Sequence, residues 1–260
     1  MEVRVRIDAA ADGETHMRLD LALAQEAAAS GAALVRLYAW SPPAVSIGAN
    51  QEPEEACDPA ACAALGWDVV RRPTGGRAVL HAPDEVTYAV GLPLAQAPAG
   101  VLAAYAWLAQ GLLLGYRQLG LPAELAPGRH LAGRSGACFD APAQSEIVCR
   151  GFKLAGSAQV RRGGYLLQHG SLPLRFDAAL HARLLGLPPG AERLLRRRAA
   201  GIADLLHPAP DWDRVAAAMS AGLRQALGGA EAKEQAGCGG EGGAGGAGDP
   251  RTQSEPARPA

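Results

Sequence analysis

The sequence predicts an α+β domain in which helices pack on a mixed or antiparallel sheet. Strand-period and helix-period segments are interleaved, without the regular strand–helix–strand beat of a parallel α/β fold. Apolar residues make up 48% of the 260 residues, enough for a sizeable core. Aromatics are only 5%, so Ala, Val and Leu must fill most of it.

Each element has its own signal. Val3, Val5 and Ile7 alternate with charged residues as in a half-buried strand. Met17 to Ser30 carries Leu19, Ala22 and Leu23 at helical spacing and stops at Gly31. Leu34 to Trp40 reads as a strand ended by Ser41-Pro42-Pro43, and Ala44 to Ile47 as a short strand ending at Gly48. A helix over Asp58 to Gly66 precedes a strand over Trp67 to Arg71. Glu85 to Leu92 is a further strand, with Val86, Tyr88 and Val90 on one face. Leu102 to Leu119 predicts a long apolar helix. Ser145 to Arg150 and Phe152 to Val160 predict two strands joined by a turn at Gly151, and Tyr165 to Leu174 another strand. Helices near 177–185 and 210–227 close the fold. Between Gly228 and Gly248 lie ten of the 33 glycines, followed by DPRTQSEPARPA. Such a segment cannot repay the entropy of ordering. The expected division is therefore a catalytic unit over 1–228 and a disordered glycine-rich tail over 229–260.

Charge and cysteine usage exclude several function classes. Lys and Arg total 25 against 26 Asp and Glu, which argues against a nucleic-acid binder or a polybasic membrane anchor. The opening MEVRVRIDAAADGE has no apolar core of a signal peptide. The greasiest stretch, Val101 to Tyr116, is shorter than the ~20 residues of a span and contains Gln110. A cytoplasmic protein is expected. Cys57, Cys62, Cys138, Cys149 and Cys238 show no zinc-like spacing and no disulfide framework, so neither a structural zinc nor a disulfide scaffold is expected, and no cofactor is called for.

Four segments could carry chemistry. In Arg71-Arg72-Pro73-Thr74-Gly75-Gly76-Arg77-Ala78-Val79-Leu80-His81, two glycines let the backbone approach a ligand, and three arginines could meet a carboxylate or phosphate. No Gly-Lys-Ser/Thr follows, so it is not a Walker loop. A bland glycine turn with solvated arginines is the competing reading. In Gly151-Phe152-Lys153-Leu154-Ala155-Gly156-Ser157-Ala158-Gln159, a strand would place Lys153, Ala155, Ser157 and Gln159 on one face. That row of small groups would leave room for a slender ligand, although a lysine on a surface strand is usually just solvated. Ser135-Gly136-Ala137-Cys138-Phe139-Asp140-Ala141-Pro142 puts a cysteine in a Gly/Pro-bounded segment where exposure is plausible, whereas Cys149 lies in an apolar strand and reads as core. In Leu167-Gln168-His169-Gly170-Ser171-Leu172, a histidine beside a glycine is a ligand contact or a structural hydrogen-bonder.

In this order, RRPTGGRAVLH, CFDAP, FKLAGSAQ and LQHGS resemble the lipoate/biotin protein ligase and octanoyltransferase superfamily over roughly residues 15–225. The cysteine-dependent octanoyltransferases of the LipM type are the nearest group within it. The resemblance implies a lipoate/biotin ligase-like catalytic domain. It also implies a catalytic pair, Cys138 carrying the acyl group as a thioester and Lys153 in the KxAGSAQ strand. Substrate-binding positions would be Arg71, Arg72, Thr74, Gly75, Gly76, Arg77, His81, Ala155, Gly156, Ser157, Ala158, His169 and Gly170. Ala78, Ala155, Gly156 and Ala158 are candidates for an apolar acyl tunnel. The donor would be octanoyl-acyl carrier protein and the acceptor a lysine on a lipoyl domain, such as the glycine-cleavage H protein. Rival readings are an ATP-dependent lipoate–protein ligase, a lipoyl amidotransferase, and an inactive relative that binds an acyl chain or a lipoyl domain. Ligases of this superfamily usually carry a third glycine where Arg77 stands here, and the CFDAP cysteine has no role in ligation.

Overall fold

A computed structural model describes residues 1–126 and 146–229. In chain order the elements are β1 (Val3–Ile7), α1 (Gly13–Ser30), β2 (Ala33–Tyr38), β3 (Ala44–Ile47), α2 (Pro53–Ala56), α3 (Pro59–Ala64), β4 (Asp68–Arg71), β5 (Val79–His81) and β6 (Val86–Pro93). A 3-10 turn over Leu94–Gln96 leads to α4 (Val101–Gln118) and β7 (Glu124–Leu125). After residue 146 come β8 (Ile147–Cys149), β9 (Phe152–Lys153), β10 (Gly156–Arg162), β11 (Tyr165–Leu172), α5 (Ala178–Leu184), α6 (Ala191–Arg196), α7 (Ile202–Leu205) and α8 (Trp212–Gly228).

The predicted α+β class holds. The main sheet runs β1-β2-β6-β11-β10, parallel between β1 and β2 and antiparallel elsewhere. A small sheet, β4-β3-β5, mixes one parallel and one antiparallel pair. A third, β7-β8-β9, is antiparallel. The central strands are buried on both faces, so alternation sorts their side chains between two cores rather than between core and water. Ala33, Val35 and Leu37 join Val86, Tyr88 and Val90 against α4 and α8, while Leu34, Tyr38 and Ala89 meet α1. Glycine makes both contacts close. A Cβ at Gly91 would lie 2.9 Å from the α1 backbone at Ala24, and one at Gly222 would lie 2.2 Å from the Gly111 carbonyl of α4.

The helix ends follow their local chemistry. Asp12 caps α1 by accepting the Thr15 N–H at 2.8 Å, and Gly31, at φ 73°, returns its N–H to Ala27. Asp58, Asp177 and Asp211 cap α3, α5 and α8 in the same way.

His181 on α5 is buried, and its Nδ1–H donates to the Asp177 carbonyl at 2.8 Å. Burial pushes its imidazole down to about 4. The folded value lies below the unfolded one, about 6.5, so the unfolded chain binds the proton more readily between the two. Stability is therefore full above that window and falls as pH drops through it, by about 3 kcal/mol once pH 4 is reached. Urea denaturation at pH 7 and pH 4.5 should show this loss, and His181→Gln should remove that increment. Identical pH dependence in both chains would exclude His181 as its source.

Candidate active site

The turn Arg72 to Arg77 joins β4 to β5 and crosses the edge of the main sheet. A Cβ on Gly76, at φ 97°, would come 2.9 Å from Arg72 Nη2 and 4.0 Å from the Ala158 Cβ. A Cβ on Gly48 would sit 2.1 Å from the Gly76 carbonyl oxygen. Both positions need glycine for that approach. Gly75 differs, being exposed with open space where a Cβ would go.

Arg71 and Arg72 hold backbone carbonyls rather than presenting themselves to an anion, which corrects the expectation from composition for these two. Arg72 is 4% exposed. Its Nη1 donates to the Ser46 carbonyl at 2.9 Å, and its Nη2 to the Gly75 and Arg77 carbonyls at 2.9 and 2.7 Å. Arg71 lies on the outside and donates to the carbonyls of Gly48, Ala49 and Gln51. The fixed fork of a guanidinium suits such a clamp, and lysine could not reproduce it.

Two buried carboxylate–imidazole–hydroxyl relays end on Arg72. In one, Glu85 accepts from His81 Nδ1 at 2.5 Å, His81 Nε2 meets the Ser46 hydroxyl at 2.8 Å, and Arg72 Nη1 donates to that hydroxyl at 3.3 Å. In the other, Asp20 accepts from His169 Nδ1 at 2.7 Å, His169 Nε2 meets Thr74 Oγ1 at 2.7 Å, and Arg72 Nε donates to Thr74 Oγ1 at 3.2 Å. An ionised carboxylate only accepts, so each Nδ1 carries a hydrogen, and for the neutral imidazole each Nε2 accepts from a hydroxyl. That polarity runs without conflict from Arg72 to the two acids. Around Asp20 the network continues to Arg36 at 2.7 Å and the Tyr38 hydroxyl at 3.1 Å. Around Glu85, Ser171 donates at 2.6 Å and Thr87 donates as well. Trp40 stacks on His81 with ring centroids 4.0 Å apart.

Lys153 is 1% exposed, buried rather than on a surface strand. Its Nζ lies 2.5 Å from Glu146 Oε1. The β8–β9 hairpin makes the pair, because Arg150 and Gly151, at φ 52° and 83°, form its two-residue turn and align Lys153 opposite Val148. The expected single strand over 152–160 is broken. After Lys153 the chain drops Leu154 and Ala155 into the core beneath α4, where the Tyr116 hydroxyl donates to the Leu154 carbonyl at 3.1 Å. It rejoins the main sheet at Gly156. Lys153, Ala155 and Ser157 therefore do not share one continuous strand face.

Between the small sheet and the β10–β11 end of the main sheet lies a partly open cleft. Of the residues singled out in the sequence, Arg72, Gly76, His81, Gly156, Ser157, Ala158, His169 and Gly170 line it. Gly170 keeps it open to strand pairing, since a Cβ there would come 2.6 Å from the Gly156 carbonyl oxygen. Thr74 sits behind the wall as the partner of His169. Arg71 and Gly75 face outward, and Arg77 is half-buried with its carbonyl held by Arg72. Ala78 packs with Val45 and Ile47, and Ala155 lies in the main core, so neither lines the cleft. Met17, Tyr38, Trp40, Ser46, Val79, Thr87 and Ser171 complete the wall and were not foreseen as site residues. Asp20 was visible as an acid on the apolar stripe of α1, and Glu85 as an acid one helical-turn spacing after His81.

Cys138 and its CFDAP segment lie outside the described residues, as do Cys238 and the tail from 230. Cys57, Cys62 and Cys149 are buried, and burial pushes their thiols up, that of Cys62 to about 12. Among the described residues no group of three or more His, Cys, Asp or Glu could hold a metal.

Comparison of the fold with solved structures places it among lipoate–protein ligase catalytic domains. A lipoate-protein ligase A bound with ATP superposes with a TM-score of 0.73 at 23% identity, covering 88% of this chain and 86% of that one. The bipartite lipoate protein ligase of Thermoplasma acidophilum gives 0.70 at 22%, covering 88% and 84%. The chain belongs to the lipoyl protein ligase A/B catalytic domain family, which matches residues 12–224. Several curated relatives carry the name octanoyltransferase LipM. The enzyme of Carboxydothermus hydrogenoformans is 43% identical over 66% of this chain and 65% of its own length. That of Symbiobacterium thermophilum is 42% identical over 75% and 74%, and that of Moorella thermoacetica 45% identical over 66% and 66%. In the first and third, the match falls just short of two thirds of the relative's length.

Proposed function

We propose that this chain is an octanoyltransferase of lipoate biosynthesis. It takes an octanoyl group from acyl carrier protein onto Cys138 and passes it to a lysine of a lipoyl-domain protein, such as the glycine-cleavage H protein. The observation that carries this reading is the identity of 41–45% to several enzymes named octanoyltransferase LipM. The catalytic unit is residues 1–228, consistent with a family match ending at 224 and a last helix ending at Gly228. No helix among the described residues is long and apolar enough to cross a membrane, which accords with action in the cytoplasm.

The chemistry proceeds in two exchanges. The Cys138 thiolate attacks the donor thioester carbonyl, the donor C–S bond breaks as the new thioester forms, and the carrier's sulfur leaves as a thiolate. This exchange is nearly isoenergetic. The neutral amine of the acceptor lysine then attacks, an amide forms, Cys138 leaves as thiolate, and the proton lost by the amine passes to a base. An unperturbed thiol titrates near about 8.5, so a cation beside it favours the reactive form. Lys153 supplies that cation, and Glu146 holds its ammonium in place. The acyl chain lies in the cleft. Burying seven methylene or methyl groups there is worth about 5 kcal/mol at roughly 0.8 each.

Octanoyl transfer from the carrier protein should proceed at full rate without ATP, measured by mass shift of the acceptor domain. Product formed only from free octanoate plus ATP would instead identify a ligase.

A further inference from the structure

We infer that the outer face of α6 is the docking surface for an acidic acyl-carrying protein, the donor in the function proposed above, on which this inference rests. The run Ala191 to Ala200 reads AERLLRRRAA, four arginines against one acid, in a chain whose net charge is −1. The single acid is spoken for, since Glu192 pairs with Arg196 at 2.7 Å. Arg193 and Arg197 are exposed and have no ion-pair partner among the described residues, and Leu194 stands between them 38% exposed. Two uncommitted guanidinium groups flanking an apolar side chain fit a partner surface that shows carboxylates around an apolar residue.

The position ties this face to the site. On its inner side Leu195 of α6, with Ala199 just beyond the helix, shares a buried apolar cluster with Val79, a wall residue of the cleft. The chain leaving α6 then bonds to the catalytic strand, with the Lys153 N–H donating to the Arg198 carbonyl at 2.7 Å and the Ala200 N–H to the Lys153 carbonyl at 3.2 Å. The arginine face thus belongs to the element whose other residues reach the cleft wall and the Lys153 backbone. A partner seated on it is next to the point of transfer, and exposed charges steer association while being screened by salt.

The test compares two donors at low and high salt with the full chain and with Arg193→Glu/Arg197→Glu. With octanoyl-carrier protein at low salt, KM should rise about tenfold or more in the variant, and the salt dependence of the wild type should largely vanish. With a small octanoyl thioester, kcat and KM should match the wild type, which also shows that the variant is folded. Arg193→Ala/Arg197→Ala should give the same pattern, weaker. Unchanged KM for the carrier overturns the inference, as does equal loss with both donors, which would place the effect on the site itself. A rise confined to the acceptor's KM overturns it too, assigning the face to the acceptor. If the wild type transfers from neither donor, the functional reading fails instead.

Discussion

Replacing Lys153 by alanine is expected to remove octanoyl transfer and to destabilise the fold at the same time. The activity loss should be roughly 10²–10³-fold, the range for removing one positioned electrostatic group. The stability loss follows from burial. Lys153 and Glu146 are side chains of 1% and 10% exposure joined at 2.5 Å, and removing one leaves the other's charge in the interior without that counter-ion. Breaking such a pair costs about 3–5 kcal/mol, whereas replacing both members by apolar groups is often close to neutral. Glu146→Ala should therefore be as destabilised as Lys153→Ala. The double variant Lys153→Met/Glu146→Leu should recover most of the stability and none of the activity. Urea denaturation and transfer assays on the three variants separate the two roles. A double variant that regains transfer would show that Lys153 serves only the fold.

The second large effect is expected at Cys138. Cys138→Ser should lower transfer by at least roughly 10³-fold, because the hydroxyl is a far weaker nucleophile at neutral pH than a thiol whose proton is easily lost. Cys149 supplies the control. It is fully buried beside Val148 on β8, its thiol is pushed up by burial, and Cys149→Ala should keep transfer at a cost in stability alone. Equal losses in the two variants, measured with the same donor and acceptor, would remove the special role of Cys138.

Local signals were legible where one element carries the whole pattern. The α1 stop at Gly31, the short strand Ala44–Ile47, the glycine turn and the Arg150–Gly151 hairpin all follow from residues within a few positions of one another. The cleft was half legible. His81, His169 and the small residues of β10 stand out in sequence, but their partners do not. Ser46 reaches His81 across 35 positions and Asp20 reaches His169 across 149, distances that only the sheet topology closes. The burial of Lys153 was hidden for a related reason. Nothing in FKLAGSAQ says that the strand breaks after the lysine, because the break is set by Leu154 and Ala155 finding the core under α4. The arginines of the glycine turn misled in the opposite direction. Their density suggested an anion site, while Arg72 holds the Gly75 and Arg77 carbonyls of the turn and Arg71 the carbonyls of Gly48, Ala49 and Gln51.

The covalent relay is most directly tested by intact-mass and peptide mass spectrometry after mixing the chain with octanoyl-carrier protein in the absence of acceptor and ATP. A single octanoyl group per chain is expected, on Cys138, removed by hydroxylamine and discharged when a lipoyl-domain protein is added. An unmodified chain that nevertheless transfers octanoate, or an adduct on any other residue, would contradict it.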